Sequence, residues 1–145
     1  MSGIAIRTAD PDDALFVGKL VAQLGYDDIT IEAARRRLVQ LLGKVDHAVF
    51  VALSAGRVVG VIHICVIETL EHEPRGEIRA LSVDEKHRGA GIGAQLVDRA
   101  EQWARERRLR KVRVRSNVKR DRARTFYERL GYLVTKGQNV FDKTL

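Results

Sequence analysis

The sequence predicts a single α/β domain over residues 1–145, built on one mixed sheet with helices on both faces. Three observations lead to this prediction. The chain has 145 residues, of which 45% are hydrophobic, and this suits one packed core. Its apolar residues switch repeatedly between a two-residue and a helical period. The resulting order is βααβββαβαβ, with antiparallel hairpins early and βαβ units late, as in a mixed sheet.

The first third predicts a strand followed by two helices. Alternating apolar residues indicate a strand at 4–9. Asp10 is a suitable N-cap for the first helix, and Pro11 has the fixed φ of a first helical position. Thr30 starts the second helix, which Gly43 ends.

The middle of the chain predicts three strands. Two β-rich runs at 47–53 and 58–67 flank the turn Ser-Ala-Gly-Arg, which indicates a hairpin. A polar loop follows, and a third strand is expected at 77–83. We expect these three strands to form the centre of the sheet.

The last third predicts two helices and up to three strands. Apolar residues at helical spacing mark a helix at 91–107, and basic residues alternate with valine in a half-exposed strand at 111–115. A short helix at 122–130 ends at a glycine. The tail at 132–145 is expected to add one or two strands.

Cysteine content and hydropathy narrow the class of protein. The single Cys65 excludes an intramolecular disulfide and a metal site built from several cysteines, which favours the cytoplasm. No run approaches the roughly 18 apolar residues of a membrane span, and no signal peptide pattern is visible. We therefore expect a soluble cytoplasmic domain with no segment that spans a membrane.

The chain is strongly basic, and much of the charge lies in one segment. Lys and Arg number 26 against 19 Asp and Glu, which gives a net charge of +7. The basic segment contains Arg105, Arg107, Arg108, Arg110, Lys111, Arg113, Arg115, Lys119, Arg120, Arg122 and Arg124. Such a segment predicts an anionic partner, and nucleic acid, an acidic membrane surface and a phosphorylated ligand all fit it.

The most informative stretch joins the strand at 77–83 to the following helix. Gly89, Gly91 and Gly93 alternate in this loop. The unpaired N–H groups and the positive dipole of a helix start attract anions, and glycine allows close approach, so the loop predicts a phosphate or pyrophosphate site. It also satisfies the dinucleotide pattern G-x-G-x-x-G/A. However, it is longer than that pattern's tight turn, and no acidic residue ends the following strand.

This loop resembles the pyrophosphate loop of the GNAT superfamily, the acyl-CoA-dependent N-acetyltransferases, whose signature is Q/R-x-x-G-x-G/A. Arg88, Gly91 and Gly93 occupy the signature positions. A second matching block lies at 116–132, where Ser-Asn-Val-Lys-Arg precedes Phe-Tyr-Glu-Arg-Leu-Gly-Tyr. The resemblance implies a GNAT-like fold, acetyl-CoA as acetyl donor, and direct transfer to a primary amine of a small molecule.

The resemblance also implies a role for each matching residue. Backbone groups of residues 81–83 would pair with the pantetheine arm as an added strand, and those of residues 88–94 would hold the pyrophosphate. Tyr127 would protonate the leaving thiolate, with a partly buried aromatic residue as the alternative. The implied binding set is Leu81, Ser82, Val83, Arg88, Gly89, Ala90, Gly91, Ile92, Gly93, Ala94, Asn117, Arg120, Ala123 and Tyr127.

The reaction needs a base, since most amines are protonated at neutral pH. Glu77, before the loop, is the first candidate. Glu77 could instead bind the substrate ammonium or simply face water. Further candidates on the preceding loop are Glu68, Glu71, His72 and Glu73. We expect Cys65 to be a core residue, and His63 either to pack in its strand or to line the acceptor pocket.

Several functions stay open at this point. Short segments at 76–79, 116–120 and 141–145 resemble aminoalkylphosphonate N-acetyltransferases, which suggests a small amine with an anionic group. A non-catalytic acyl-CoA sensor and a basic nucleic-acid-binding domain are the alternatives. The basic segment lacks interleaved aromatic residues, which disfavours nucleic acid. Many superfamily members dimerise, so the sequence is compatible with a homodimer.

Overall fold

The computed structural model describes residues 3–26, 29–115 and 121–145, in two compact units, Met1–Arg115 and Ser116–Leu145. The first unit contains β1 (Ile4–Thr8), α1 (Ala14–Ala22), α2 (Ile31–Leu42), β2 (His47–Ser54), β3 (Arg57–Ile67), β4 (Arg75–Val83), α3 (Ile92–Glu106) and β5 (Val112–Val114). The second contains α4 (Asp121–Arg129). Nowhere in these described ranges is a helix long and apolar enough to cross a membrane.

The sheet is mixed, as predicted. Its five strands lie in the order β1-β2-β3-β4-β5; the first four are antiparallel neighbours, and β5 is parallel to β4. The hairpin turn between β2 and β3 has Ala55 and Gly56 at φ of 50° and 77°. This left-handed pair matches the twist of the two strands and fixes their register.

The predicted helix caps are present. A short 3-10 turn at Pro11–Asp13 leads into α1, and Asp10 accepts the N–H of Asp12 at 2.9 Å. The Asp13 carboxylate accepts the Asp10 N–H at 2.8 Å and two guanidinium bonds from Arg7, and it is nearly buried. These bonds hold the pKa of Asp13 below its usual value. They fix the angle at which the chain enters α1.

Thr30 and Gly43 mark the ends of α2, where the sequence predicts them. Thr30 Oγ1 accepts the N–H of Ala33 at 3.0 Å, and Gly43 is the C-cap. The buried residues Ala34 and Leu38 lie one helical turn apart. The apolar face of α2 therefore packs inward, as its periodicity predicts.

One face of the sheet packs on α3. A Cβ added to Gly60 of β3 would lie 2.9 Å from Leu96 Cδ1, so α3 approaches the strand closely because this residue has no side chain. Alternation along β3 places Ile62 and Ile64 on the same side, and both are fully buried. This face is therefore apolar along its length.

The other face carries α1 and α2 over part of its area. Its apolar core includes Val17, Leu20, Leu38, Val51 and Val61. Further along the same strands, the side chains on this face become polar. One half of this face therefore belongs to the apolar core, and the other half is lined by polar side chains.

The second unit differs from the prediction in its tail. Helix α4 ends before Gly131, which adopts φ +94°. Residues 132–145 contain no strand, so the strands expected there are absent from the described structure. Leu133 and Phe141 of the tail are 82% and 89% exposed. Alternating apolar residues do not form a strand unless a neighbouring strand pairs with them, and none of the described strands does.

Candidate active site

Strands β4 and β5 stop pairing at a bulge in β4. His63 of β3 faces Ala80, and Ile64 faces Ile78, so Arg79 is the extra residue of the bulge. Among the described residues, β5 pairs with β4 only as far as Ile78. No described strand therefore pairs with the edge of β4 after the bulge, and an edge of this kind can bind an extended ligand.

Two residues direct main-chain groups toward this open edge. Asp84 donates its N–H to Val59 O at 2.8 Å, which points its main chain toward β3. The direction of the main-chain groups alternates along an antiparallel strand. Leu81 and Val83 therefore present theirs at the open edge, as the pantetheine prediction requires.

Ser82 has a different role from the one expected of it. Its Oγ donates to Leu20 O at 2.8 Å and accepts from Gln23 Nε2 at 3.1 Å, and its main chain faces β3. Ser82 therefore holds α1 against β4. The adjacent Val83 carbonyl accepts from Gln23 Nε2 and from Arg88 Nε, each at 3.3 Å. The side chain of Arg88 thus folds the loop back onto the end of β4.

The glycine loop has the geometry of an anion cradle. Gly89 and Gly91 adopt φ of +85° and +80°, and a Cβ at either would meet no heavy atom within 4 Å. Gly91 is the N-cap of α3 and provides no side-chain cap. The first α3 N–H bond back to the loop is from Gln95 to Gly91 O, at 3.1 Å. The amides of residues 92–94 are thus those that a helix start leaves for a ligand.

The remaining loop and motif residues are placed as follows. Ala90 is exposed, and the Ile92 side chain is buried in the core, so Ile92 has only its backbone to offer a ligand. Asn117 and Arg120 lie outside the described residues. Ala123 and Tyr127 lie on α4 of the second unit.

A row of polar side chains crosses the sheet on the face that carries α1 and α2. We call this side of the sheet the polar face. His47 is in register with Cys65, Cys65 with Glu77, and Glu77 with Arg113. Residues directly opposite each other on neighbouring strands share a face. Gly76 faces α3, where an added Cβ would meet Ala104, so Glu77 faces the opposite side.

Glu77 lies at the centre of this row and is surrounded by arginines. Its side chain is 3% exposed, and it forms ion pairs with Arg75, Arg79 and Arg115. Arg75 is buried, whereas the side chains of Arg79 and Arg115 are about half exposed. Exposure to water, one alternative for Glu77, is therefore wrong. Among the described residues, Arg75 Nε and Glu77 Oε1 are buried without a hydrogen-bond partner.

His63 and His47 form a second polar group on this face. His63 Nε2 lies 2.9 Å from His47 Nδ1, and the rings stack with centroids 5.2 Å apart. Burial, with smaller contributions from His47 and Arg79, lowers the pKa of His63 to about 4. Burial raises the pKa of the Cys65 thiol, which agrees with a core residue and not a nucleophile.

Tyr127 is half-buried within the second unit. Its ring makes edge contacts with Phe126 and Tyr132, at centroid distances of 5.0 and 5.7 Å. Burial raises the pKa of Tyr127 to about 12, so the phenol keeps its proton throughout the neutral range. A protonated phenol can donate a hydrogen bond or a proton.

Sequence reasoning missed the arginines around Glu77 and the partner of His63. A signal was present, because alternation places Arg75 and Glu77 on one face of β4. The pairing of His47 with His63 depends on the register of β2 against β3, which periodicity alone does not give. The candidate bases Glu68, Glu71, His72 and Glu73 lie on an exposed loop.

Comparison with known proteins identifies related acetyltransferases. The profile of the acetyltransferase (GNAT) family matches residues 19–132. The chain is 33% identical over 128 residues to the aminoalkylphosphonate N-acetyltransferase of Salmonella typhimurium, and the match covers 88% of this chain and 83% of that protein.

Crystal structures of acetyltransferases share the fold. Glucosamine-6-phosphate N-acetyltransferase from Arabidopsis thaliana has a TM-score of 0.83 at 20% identity, with 96% of this chain and 97% of that chain covered. An aminoglycoside N-acetyltransferase in complex with CoA has a TM-score of 0.89 at 17% identity, with 100% and 97% covered.

Proposed function

The chain belongs to the acetyltransferase (GNAT) family and transfers the acetyl group of acetyl-CoA to an amine, and we propose that its acceptor is a small primary amine that carries an anionic group. The acetyl donor supplies an activated thioester carbonyl. The protein's task is to hold the donor, orient the acceptor amine and move protons. Attack is direct, within a complex of both substrates.

The proposed donor site combines the glycine loop with the open edge of β4. The amides of residues 88–94 would hold the pyrophosphate, since Gly89 and Gly91 leave open space there and α3 begins without a side-chain cap. The main-chain groups of Leu81 and the N–H of Val83 would pair with the pantetheine arm, since the Val83 carbonyl already accepts from Gln23 and Arg88. A donor bound in this way would direct its thioester toward the bulge at Arg79.

The charge on the polar face supports an anionic acceptor. Arg75, Arg79, Arg113 and Arg115 share this face or reach its central carboxylate, and they outnumber the single Glu77. The opposite face is filled by α3, so a polar acceptor would approach from the arginine side. Half-exposed guanidiniums are suited to phosphonate or carboxylate, which they can bind with two hydrogen bonds.

A relative of known substrate class supports the same choice. The Salmonella typhimurium protein, 33% identical to this chain, is an aminoalkylphosphonate N-acetyltransferase. An aminoalkylphosphonate joins a primary amine to a phosphonate through a short linker. An arginine at the bulge would therefore hold the anion while the amine faces the thioester.

Two chain residues are proposed to act on the reacting groups or to position them. Tyr127, in the family motif, would protonate the leaving thiolate, and its raised pKa keeps that proton in place until it is needed. Glu77 would hold Arg79 and Arg115 in position for the acceptor, since all three arginines around it are drawn to one buried carboxylate. The cytoplasm as compartment and a homodimer stay predictions from the sequence.

Calorimetric titration tests the donor site first. We expect saturable binding of acetyl-CoA and none of NADPH, and we expect Gly91→Glu to abolish acetyl-CoA binding because it places a carboxylate in the cradle. A folded protein that does not bind acetyl-CoA would contradict the proposed donor site.

Thiol release with paired acceptors tests the acceptor class. Aminoethylphosphonate and propylamine differ mainly in the anion. We expect Arg79→Gln to raise KM for aminoethylphosphonate roughly tenfold to a hundredfold and to change KM for propylamine little. Arg79→Lys, which keeps the charge, should be intermediate, and Arg105→Gln on α3 is the matched control. Equal effects on both acceptors would refute the anion site.

A further inference from the structure

Three side chains on the polar face form a chain that leads from the sheet to solvent. His63 Nε2 lies 2.9 Å from His47 Nδ1, and His47 Nε2 lies 3.9 Å from Asp46 Oδ1. The side chains of His47 and Asp46 are 20% and 56% exposed. Exposure thus increases along the chain, away from the centre of the sheet.

The inner end of this chain lies beside the bulge. His63 is directly opposite Ala80, the residue that follows Arg79 in β4. His63 also shares its face with Glu77, the side from which a polar acceptor would approach. An amine held near the bulge by an anion on Arg79 would therefore be close to the imidazole of His63.

Glu77 is less suited than His63 to receive the amine proton. Its carboxylate is buried and forms ion pairs with three guanidiniums, so its charge is already used to hold cations. His63 is neutral at neutral pH and has one ring nitrogen available as an acceptor when the other donates to His47. The exposed loop at 68–73 has no such connection to the bulge in the sheet register.

Resting on the proposed function, we propose that His63 is the catalytic base of the acetyl transfer and that His47 and Asp46 relay the proton to solvent. The acceptor ammonium loses a proton to His63 Nδ1. His63 Nε2–H then passes its proton to His47 Nδ1, and His47 Nε2–H passes its own toward Asp46 and water. The relay thus carries one proton from the ammonium to solvent and returns to its starting charge, with each ring in its other tautomer until exchange with solvent restores the first. The second proton, which the nitrogen loses when the amide forms, balances the proton that Tyr127 gives to the leaving thiolate.

The charges around His63 couple this base to the acceptor. The titratable and charged groups that share its face are His47 of β2 with Asp46 beside it, Cys65 on β3, and Glu77 and Arg79 on β4. The Arg79 guanidinium contributes to the low pKa of His63. An anion bound to Arg79 offsets that charge, which strengthens the base when the correct acceptor is present. A neutral amine lacks this effect.

Acceptors that differ in basicity test the base directly. The wild type, His63→Gln and His47→Gln are assayed with aminoethylphosphonate and with its aminooxy analogue, whose amine is neutral at pH 7. We expect His63→Gln to lower kcat by about 10²–10⁴ with the first acceptor and much less with the second. His47→Gln should lower kcat less, and should move the acid limb of the kcat profile to higher pH because His47 lowers the pKa of His63. His87→Gln, which removes a histidine paired with Asp84, is the matched control.

Each outcome separates a base from a structural residue. An equal loss with both acceptors, or no loss, would overturn the assignment of His63. An unchanged pH profile in His47→Gln would overturn the relay. Turnover by the wild type with neither acceptor would overturn the acceptor class and the base together, whereas wild-type turnover with an unaffected His63→Gln would overturn the base alone. His63→Asn replaces His63→Gln if circular dichroism shows that the latter does not fold.

Discussion

Replacing His63 should change how the stability of the fold depends on pH. Burial, His47 and Arg79 lower the pKa of His63 to about 4, from an ordinary value of 6.5. Between these two values the unfolded chain binds a proton that the folded chain does not. The stability from a neutral His63 is therefore complete above about pH 6.5 and is lost as the pH falls toward 4.

The size of this effect follows from the width of the pH window. Each pH unit between the two values corresponds to about 1.4 kcal/mol, so the loss totals about 3 kcal/mol for one half-buried group. His63→Gln replaces the imidazole with an amide that does not titrate. The variant should therefore be less sensitive to acid than the wild type in this window, whatever its stability at pH 7.

Urea unfolding between pH 7 and pH 4 measures this difference. The free energy of unfolding of the wild type should fall more steeply than that of His63→Gln, by up to about 1.4 kcal/mol per pH unit. His72→Gln, on an exposed loop, controls for loss of a histidine. Parallel pH dependences for the wild type and His63→Gln would show that His63 titrates normally, and the electrostatic argument would be refuted.

Three further predictions concern other parts of the chain. Tyr127→Phe should lower kcat about tenfold with the Kd of acetyl-CoA unchanged in calorimetry; unchanged kcat would remove the phenol from the mechanism. Gly60→Ala adds a Cβ 2.9 Å from Leu96 Cδ1 and should lower the free energy of unfolding by about 1–3 kcal/mol in urea. Asp13→Asn should destabilise the fold at pH 7 and much less in strong acid, because the lowered pKa of Asp13 means that its contribution is lost only when the folded carboxylate takes up a proton. Equal destabilisation at both pH values would contradict the ion pair with Arg7.

Local signals predicted most of the fold. Thr30 and Gly43 mark the helix ends because capping depends on the residue itself and its near neighbours. The bulge at Arg79 could not be predicted from the sequence, since it arises from the register of β4 against β3, which no local pattern encodes. The prediction of strands in the tail was wrong for a related reason. Alternation shows that a segment can form a strand, but it does not supply a neighbouring strand to pair with it.

The candidate site was predicted in part. The glycine loop was recognisable because Gly89 and Gly91 must adopt positive φ, and that need is visible in the residue type. Glu77 was found, but its surroundings were not. The three arginines that pair with it come from positions 75, 79 and 115, so the cluster exists only once the strands lie side by side.

The cluster around Glu77 is better explained by binding than by stability. Burying a carboxylate and a guanidinium costs free energy that their mutual attraction often only balances, and apolar residues in the same space would stabilise a fold at least as well. Here Arg75 Nε and Glu77 Oε1 also lack hydrogen-bond partners among the described residues, which adds to that cost. This cost in folding free energy is explained if the carboxylate holds half-exposed guanidiniums at the bulge, where an anionic acceptor would bind them. One of these cations, Arg79, also adds to the low pKa of His63, so under the proposed mechanism an anion bound at the bulge would both hold the acceptor and strengthen the base.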